Sequence, residues 1–337
     1  MTKNGQQLTE HAPLEVAIMC YPGAQLTSIH GLTDVFTYAD YYAREHSARQ
    51  QPFIRVTHWR ERAEGDGIEN TFDSLPGPFK VPALVIVPAC QIAPPERGHA
   101  PRSKEWIRGR HADGAVVAAV CGGVFLLADA GLLEGRRATT HWLFADELRR
   151  RFPGLDVDAD RLVIDDQDVI TAGGVLAWAD LGLSLVERLL GATVMHSTAR
   201  FMVMDPPGRE QKLYGDFAPR LQHGDKAILA IQHWLQANAA AACSVSDLAQ
   251  RANLGERTFL RRFVKATGVK PSEYTQRLRI ARSRDLLEFT RDSVEQVSLA
   301  AGYEDPGGFR RIFKRVIGLS PGEYRRRFQR ERLIKTA

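Results

Sequence analysis

The sequence predicts an α/β domain built on a parallel sheet, followed by an all-α domain that carries two helix-turn-helix units. Three observations predict it. In the first two thirds of the chain, short apolar runs alternate with helical stretches, the pattern of a parallel sheet covered on both faces. Near the C-terminus one pattern is written twice. Phe263, Gly268, Pro271 and Tyr274 recur as Phe313, Gly318, Pro321 and Tyr324, each 50 residues on, and self-similarity at a fixed period marks one supersecondary unit used twice. The charge divides in the same way. The 337 residues carry a net charge of +5, but from Asp225 onward 22 Lys and Arg face 12 Asp and Glu, a net of +10 that leaves −5 on the rest. A basic block joined to an acidic one has the composition of a polyanion-binding module attached to something else.

Residues 15–20 (EVAIMC) read as a strand closed by the Tyr21-Pro22-Gly23 turn, and residues 28–42 as a helix. Further strands are expected at 53–58, 83–88, 115–120 and 168–171, with helices near 102–111, 124–131, 142–152, 175–190 and 192–204. The apolar stretch from Ala115 to Leu133 approaches the length of a membrane span. Cys121-Gly122-Gly123 breaks it and Asp129 charges it, so it reads as a buried strand and then a helix. The opening residues carry no apolar run, and no secretory signal is expected. Four cysteines without CxxC or zinc-type spacing imply reduced thiols in a cytoplasm and no metal, and no cofactor motif is present. Residues 205–224 are Pro/Gly-rich and polar, a linker by composition; the helical block begins at Asp225.

In the first repeat, Ser246 is placed to N-cap a helix over 247–252, Asn253 sits at the turn, and the next helix runs over 256–266. Phe259 and Phe263 face inward, leaving Arg257, Leu260 and Arg261 outward. In the second repeat Gly302 takes the turn, and Asp305-Pro306 is an N-cap followed by a proline at the first helical position. Phe309 and Phe313 face inward, leaving Arg310, Arg311 and Lys314 toward solvent, and a helix over 272–288 joins the repeats. With Thr258 and Lys265 these outward residues form the candidate DNA-contacting set. Arginine suits the task because its fork binds guanine O6 and N7 together and also binds phosphate. Charge alone would fit a solvated basic bundle; two capped units at a fixed repeat set that reading aside.

On the paired GxxPxxY endings and the stretch GYEDPGGFRRIFK (302–314), the block 225–330 resembles the AraC/XylS-type regulator domain. The resemblance implies two recognition helices in successive major-groove faces of double-stranded promoter DNA. Gly255 stands where the family has a capping Ser, so the first recognition helix is expected to be weakly capped. Leu260 occupies a position that is often polar, and is expected to meet a thymine methyl. Gly307 and Gly308 have no side chain to read bases, which leaves the second unit's contacts to Arg310 and Arg311.

Residues 115–130 read AVVAAVCGGVFLLADA: strand, Cys-Gly-Gly, helix. A cysteine beside a helix N-terminus is expected to favour the thiolate, and His141, in Thr139-Thr140-His141-Trp142, is within reach of the same crevice. Ligands collect at the carboxyl ends of parallel strands. Segments 120–142 and 170–187 resemble the PfpI/ThiJ superfamily, relatives of the class I glutamine amidotransferases. More closely they resemble the GlxA-type regulators, which fuse that flavodoxin-like fold to an AraC domain. The resemblance spans residues 14–204. It implies a sensor and dimerisation domain with Cys121 in the nucleophile position and His141 as the nearby histidine, and a homodimeric activator.

Catalytic relatives place a histidine directly after the cysteine; here Gly122 follows it, and Asp34 is the sole acid in the first helix's opening stretch. A Cys–His pair also needs a third group to orient its base. Ligand sensing is therefore expected and an enzyme is not, a Cys-dependent amidase or hydrolase being the alternative. The candidate ligand set is Cys121, Gly122, His141, Asp34 and Trp178, for an amine, amino acid or quaternary ammonium effector. Trp178 offers an aromatic wall for a cation or else lies in the core, and His141 is either a pocket residue or a capped, packed one. Cys20, Cys90 and Cys121 all end predicted strands. Either Cys90 and Cys121 form a redox-sensitive pair, which requires Cα atoms within about 7 Å, or they are small buried residues that never meet.

Overall fold

The computed structural model describes residues 12–215, 217 and 219–329. These divide after Gln211 into two units, each with its own core. The first unit contains β1 (Leu14–Met19), α1 (Leu26–Glu45), β2 (Ile54–Glu61), β3 (Ile68–Asp73), β4 (Leu84–Val87), α2 (Pro101–Ala112), β5 (Val116–Val120), α3 (Val124–Asp129), β6 (Arg137–Ala138), α4 (Ala145–Arg151), β7 (Asp156–Val157), β8 (Val163–Asp166), β9 (Val169–Ala172), α5 (Trp178–Leu190) and α6 (Ala192–Phe201). Seven strands form one sheet in the order β3-β2-β1-β4-β5-β9-β8. The pairs β1–β2, β1–β4, β4–β5 and β5–β9 are parallel, and the edge strands β3 and β8 are antiparallel. The five parallel strands have the flavodoxin-like order 2-1-3-4-5, whose switch point lies outside the carboxyl ends of the central strands.

The parallel strands β1, β4, β5 and β9 are apolar along nearly their whole length because helices cover both faces, and β4 and β9 are buried at every position. The two antiparallel edges, IENTFD and VIDD, are polar enough to escape an apolar-run reading. The expected helix over 142–152 divides into a 3-10 turn at Trp142–Phe144 and α4. Val87 lies in register with Ala119, which brings the chain leaving β4 beside Cys121.

The second unit contains α7 (Lys226–Ala237), α8 (Val245–Arg251), α9 (Glu256–Thr267), α10 (Pro271–Phe289), α11 (Val294–Ala300), α12 (Pro306–Ile317) and α13 (Pro321–Phe328). It has two small cores rather than one. Ile228, Leu248, Phe259, Phe263 and Tyr274 form the first; Leu287, Val297, Phe309, Phe313 and Tyr324 form the second. Helix α10 supplies residues to both.

The N-cap of α8 is Ser244, not Ser246; its hydroxyl accepts from the Asp247 N–H while Asp247 accepts in return. Ser293 with Gln296 and Ser320 with Glu323 form the same reciprocal box. Ser244 and Ser293 are 49 residues apart, whereas the repeat beyond the turns is 50. The second turn therefore holds one more residue, Gly302 to Asp305 against Asn253 to Gly255. Asn253 (φ +53°) and Gly302 (φ +89°) both take the left-handed conformation that the turn requires. Gly302 has a second reason to be glycine: a Cβ there would lie 2.6 Å from the Ala240 backbone.

Residues 205–224, expected as a linker, are committed on either side of the division. Arg209 pairs with Asp180, and Gln211 is 2% exposed within the first unit. Leu213 joins the second core of the helical unit, and Phe217 packs edge-on against Tyr274 at 5.0 Å.

Candidate functional site

Cys121 sits where β5 breaks into a 3-10 turn ahead of α3. Its φ is +54°, a conformation that L residues adopt at a cost and that surrounding structure must hold. The Thr140 hydroxyl holds it by donating to the Cys121 carbonyl at 2.7 Å. Gly122 and Gly123 are explained by close approach. A Cβ on Gly123 would lie 2.3 Å from the Pro88 carbonyl oxygen, and one on Gly122 would lie 2.1 Å from the Cys90 Sγ. Cys90 thus occupies the room that a side chain after Cys121 would need.

The Cys121 sulfur faces the backbone N–H groups of Gly122 and His141 and the Cys90 thiol. Cys121 is 1% exposed. Its hydrogen bond with Cys90, and then burial, push its pKa up, and the same hydrogen bond pulls Cys90 down. This corrects the expectation of a Cys121 thiolate: the two backbone donors favour the anion but are outweighed by the neighbouring sulfur and the lack of solvent. Of the three strand-end cysteines, Cys90 and Cys121 meet. Cys20 lies apart against β2, its pKa raised to about 11 by burial.

From residue 141 it is the backbone that reaches Cys121. The imidazole caps the 3-10 turn, Nδ1 accepting from the Leu143 N–H at 3.1 Å, and packs between Trp142 and Phe144 with both ring centroids at 5.4 Å. Burial lowers its pKa, which keeps Nδ1 an acceptor. Asp34 is exposed on α1. Trp178 lies over α1, where a Cβ on Gly31 would be 2.5 Å from the indole, and its Nε1 is buried without a hydrogen-bond partner among the described residues.

Sequence reasoning missed Gln211. Its Nε2 donates to the carbonyls of Thr140 and Ala159, both at 2.9 Å, and its Oε1 accepts from the Trp142 N–H at 3.1 Å. It braces the backbone on both sides of His141. One signal was present: Gly173 must be small because a Cβ there would lie 2.5 Å from Gln211 Nε2 and 2.7 Å from the Thr140 carbonyl oxygen.

In the helical unit, α9 exposes Arg257, Leu260, Arg261, Val264 and Lys265, with Thr258 half-buried. Helix α12 exposes Arg310, Arg311, Lys314 and Arg315. The N-cap of α9, Gly255, makes no side-chain cap, as its composition predicts. At α12 the Asp305 carboxylate accepts from the N–H groups of Gly307 and Gly308, both at 2.8 Å, and lies 3.5 Å from Arg311. Arg310 pairs with Glu295. Two arginines of α10 are structural: Arg279 donates to the Ala239 and Ala241 carbonyls, and Arg284 to the Tyr324 hydroxyl. Among the described residues no group of His, Cys, Asp or Glu is placed to hold a metal, and no helix is long and apolar enough to cross a membrane.

Residues 82–188 match the DJ-1/PfpI family, and residues 248–327 match a helix-turn-helix domain family. The chain is 30% identical over 234 residues to the HTH-type transcriptional regulator CdhR of Pseudomonas aeruginosa, covering 68% of this chain and 69% of that protein. It is 27% identical over 217 residues to the HTH-type transcriptional regulator GlxA of Rhizobium meliloti, covering 64% and 66%. The chain belongs to the GlxA-type transcriptional regulators. Its DJ-1/PfpI half also resembles a protein named for catalysis, the isonitrile hydratase of Pseudomonas putida, at 39% identity over 88 residues, 27% of this chain and 33% of that one. As a GlxA-type regulator the chain binds DNA through its helix-turn-helix unit, and its relatives over most of the chain are named regulators rather than enzymes.

Proposed function

We propose that this GlxA-type regulator is switched by a small nitrogenous metabolite held at the Cys121 elbow, and that it acts in the cytoplasm as a homodimeric activator. Residues 14–204 sense and dimerise, and residues 225–330 grip the promoter. Arg257, Thr258, Leu260, Arg261 and Lys265 of α9 and Arg310, Arg311 and Lys314 of α12 make the DNA contacts. The observation that carries the sensor reading is the elbow itself: a strained cysteine onto which two backbone N–H groups converge, with the nearby imidazole committed to a cap. These donors act on the Cys121 sulfur itself, so a polar ligand atom that reaches them meets that sulfur as well. A thiol pushed up and lacking an oriented base does not suit turnover. Gln211 is the route outward, since it braces both neighbours of His141 and is the last residue of its unit. A ligand acts only through different affinities for two arrangements of the arms, and dimerisation raises the local concentration of the second arm at paired sites.

A thermal-shift screen of the full-length protein against amines, amino acids and quaternary ammonium compounds tests this. The expected result is a saturable rise, abolished in Cys121→Ala. A rise that persists in that variant, or none with any compound, removes the elbow as the sensor. Turnover of the ligand lost with Cys121 would establish the amidase or hydrolase alternative.

A second reading rests on the adjacency of Cys90 Sγ to Gly122 and Cys121. A peroxide would oxidise the two thiols to a disulfide: the thiols give up two protons and two electrons, the peroxide O–O bond breaks and takes them up, and the products are water and the corresponding alcohol, or two waters from hydrogen peroxide. A mass loss of two hydrogens after peroxide treatment, absent in Cys90→Ser, would support it.

A further inference from the structure

Taken 50 residues apart, the outward stripes of the two recognition helices correspond position by position, and their chemistry differs. Arg257, Leu260, Arg261, Val264 and Lys265 of α9 align with Gly307, Arg310, Arg311, Lys314 and Arg315 of α12. All five in α9 are exposed, including Leu260 at 36% and Val264 at 40%. Two large apolar side chains one turn apart, on the solvent face of a helix and flanked by three cations, are not needed by the core, which Phe259, Phe263 and Ala266 fill from the other face.

The major-groove edges of DNA present one apolar group, the thymine C5 methyl; guanine presents the paired acceptors that an arginine fork matches. Side chains one turn apart stand about 6 Å from each other, close to two base steps of about 3.4 Å. In α12 the same positions are cationic. Asp305, clasping the helix start through Gly307 and Gly308, also flanks Arg311. Gly307, with no side chain, lets that helix end come closer to the bases. The Arg310–Glu295 pair is exposed on both sides and is weak enough to open for a base.

We infer that the two units read chemically different half-sites, α9 reading closely spaced thymine methyls through Leu260 and Val264 and α12 reading guanine through Arg310 and Arg311. The inference rests on the DNA-binding role and deepens it.

The test uses full-length protein and a duplex library of about 30 randomised base pairs, a span that admits two half-sites one helical turn apart. The expected product is a motif with a T·A-rich half and a guanine-containing half. Arg311→Ala should lose preference in the guanine half alone. Replacing each thymine of the other half by deoxyuridine should weaken binding about fourfold, the effect of one buried methyl. Leu260→Ala and, independently, Val264→Ala should be blunted to that replacement at one position each while keeping their thermal midpoints. A motif whose affinity ignores uracil substitution, or variants as sensitive as the parent, overturns the inference while leaving DNA binding intact. Recovery of no motif overturns both. A change in oligomeric state on Leu260→Ala with unchanged DNA affinity makes the apolar pair a protein contact and overturns it as well.

Discussion

The two helix-turn-helix units share their interiors and differ at their edges. Phe259, Phe263 and Tyr274 meet at centroid distances of 5.4 Å and 5.4 Å, and Phe309, Phe313 and Tyr324 at 5.6 Å and 5.5 Å. Around these equivalent cores, α9 starts at an uncapped glycine while α12 starts at an aspartate that accepts from two N–H groups. The anchoring differs too: Arg262 ties α9 to the N-cap of α7 through a two-pronged pair with Asp225, at 2.7 and 2.8 Å. A repeated core thus constrains three ring positions and leaves capping, turn length and the DNA-facing stripe open to diverge.

The largest effect that would test the independence of the two cores is Phe313→Ala, expected to cost about 3–5 kcal/mol. Hydrogen exchange should then rise over 293–324 and much less over 244–274; equal loss in both would show that α10 fuses the cores into one cooperative body. Next comes Arg311→Ala, expected to weaken specific DNA binding by about 1–3 kcal/mol with little change on random duplex. Equal losses on both would make Arg311 a phosphate contact and erase the contrast with α9.

Capping should separate the units by a smaller margin. Asp305→Ala should cost about 1 kcal/mol of stability, whereas Gly255→Asp should add only a few tenths, both readable in denaturant midpoints. A large gain at Gly255 would mean that the first unit is limited by its cap after all.

The smallest effect is in acid. The hydrogen bonds from Arg262 hold the Asp225 carboxyl below its ordinary value. A depressed carboxyl contributes stability that is present above the unfolded value of about 3.9 and is lost as the pH falls toward the folded one. The first helix-turn-helix unit should therefore loosen below about pH 4 in the parent. Asp225→Asn should reduce that dependence, Asp247 of the same unit being held down as well, while leaving the second helix-turn-helix unit's acid response unchanged.

Whatever depends on neighbours three or four residues away could be read from the residues alone, together with the repeat that copies them. Asp305-Pro306, the inward phenylalanines, the left-handed turn at Asn253 and Gly302, and the bare Gly255 were all legible, because capping and helix periodicity act over one turn. The strand–cysteine–helix elbow was legible for the same reason. The misplaced cap, Ser246 for Ser244, belongs to this class as well, since two nearby serines compete for one role and the reciprocal bond from Asp247 decides between them.

The rest depends on contacts between segments far apart in the chain. The register of β4 on β5 brings Cys90 against Gly122 and Cys121. The backbone path through the 3-10 turn aims the His141 N–H, rather than its ring, at Cys121. Gln211 reaches Thr140 across 71 residues of sequence from a stretch whose composition says only linker, and the polar edge strands β3 and β8 are recruited by pairing with β2 and β9. In each case the energy comes from a partner distant in sequence. No local pattern encodes it until the fold has brought the two together.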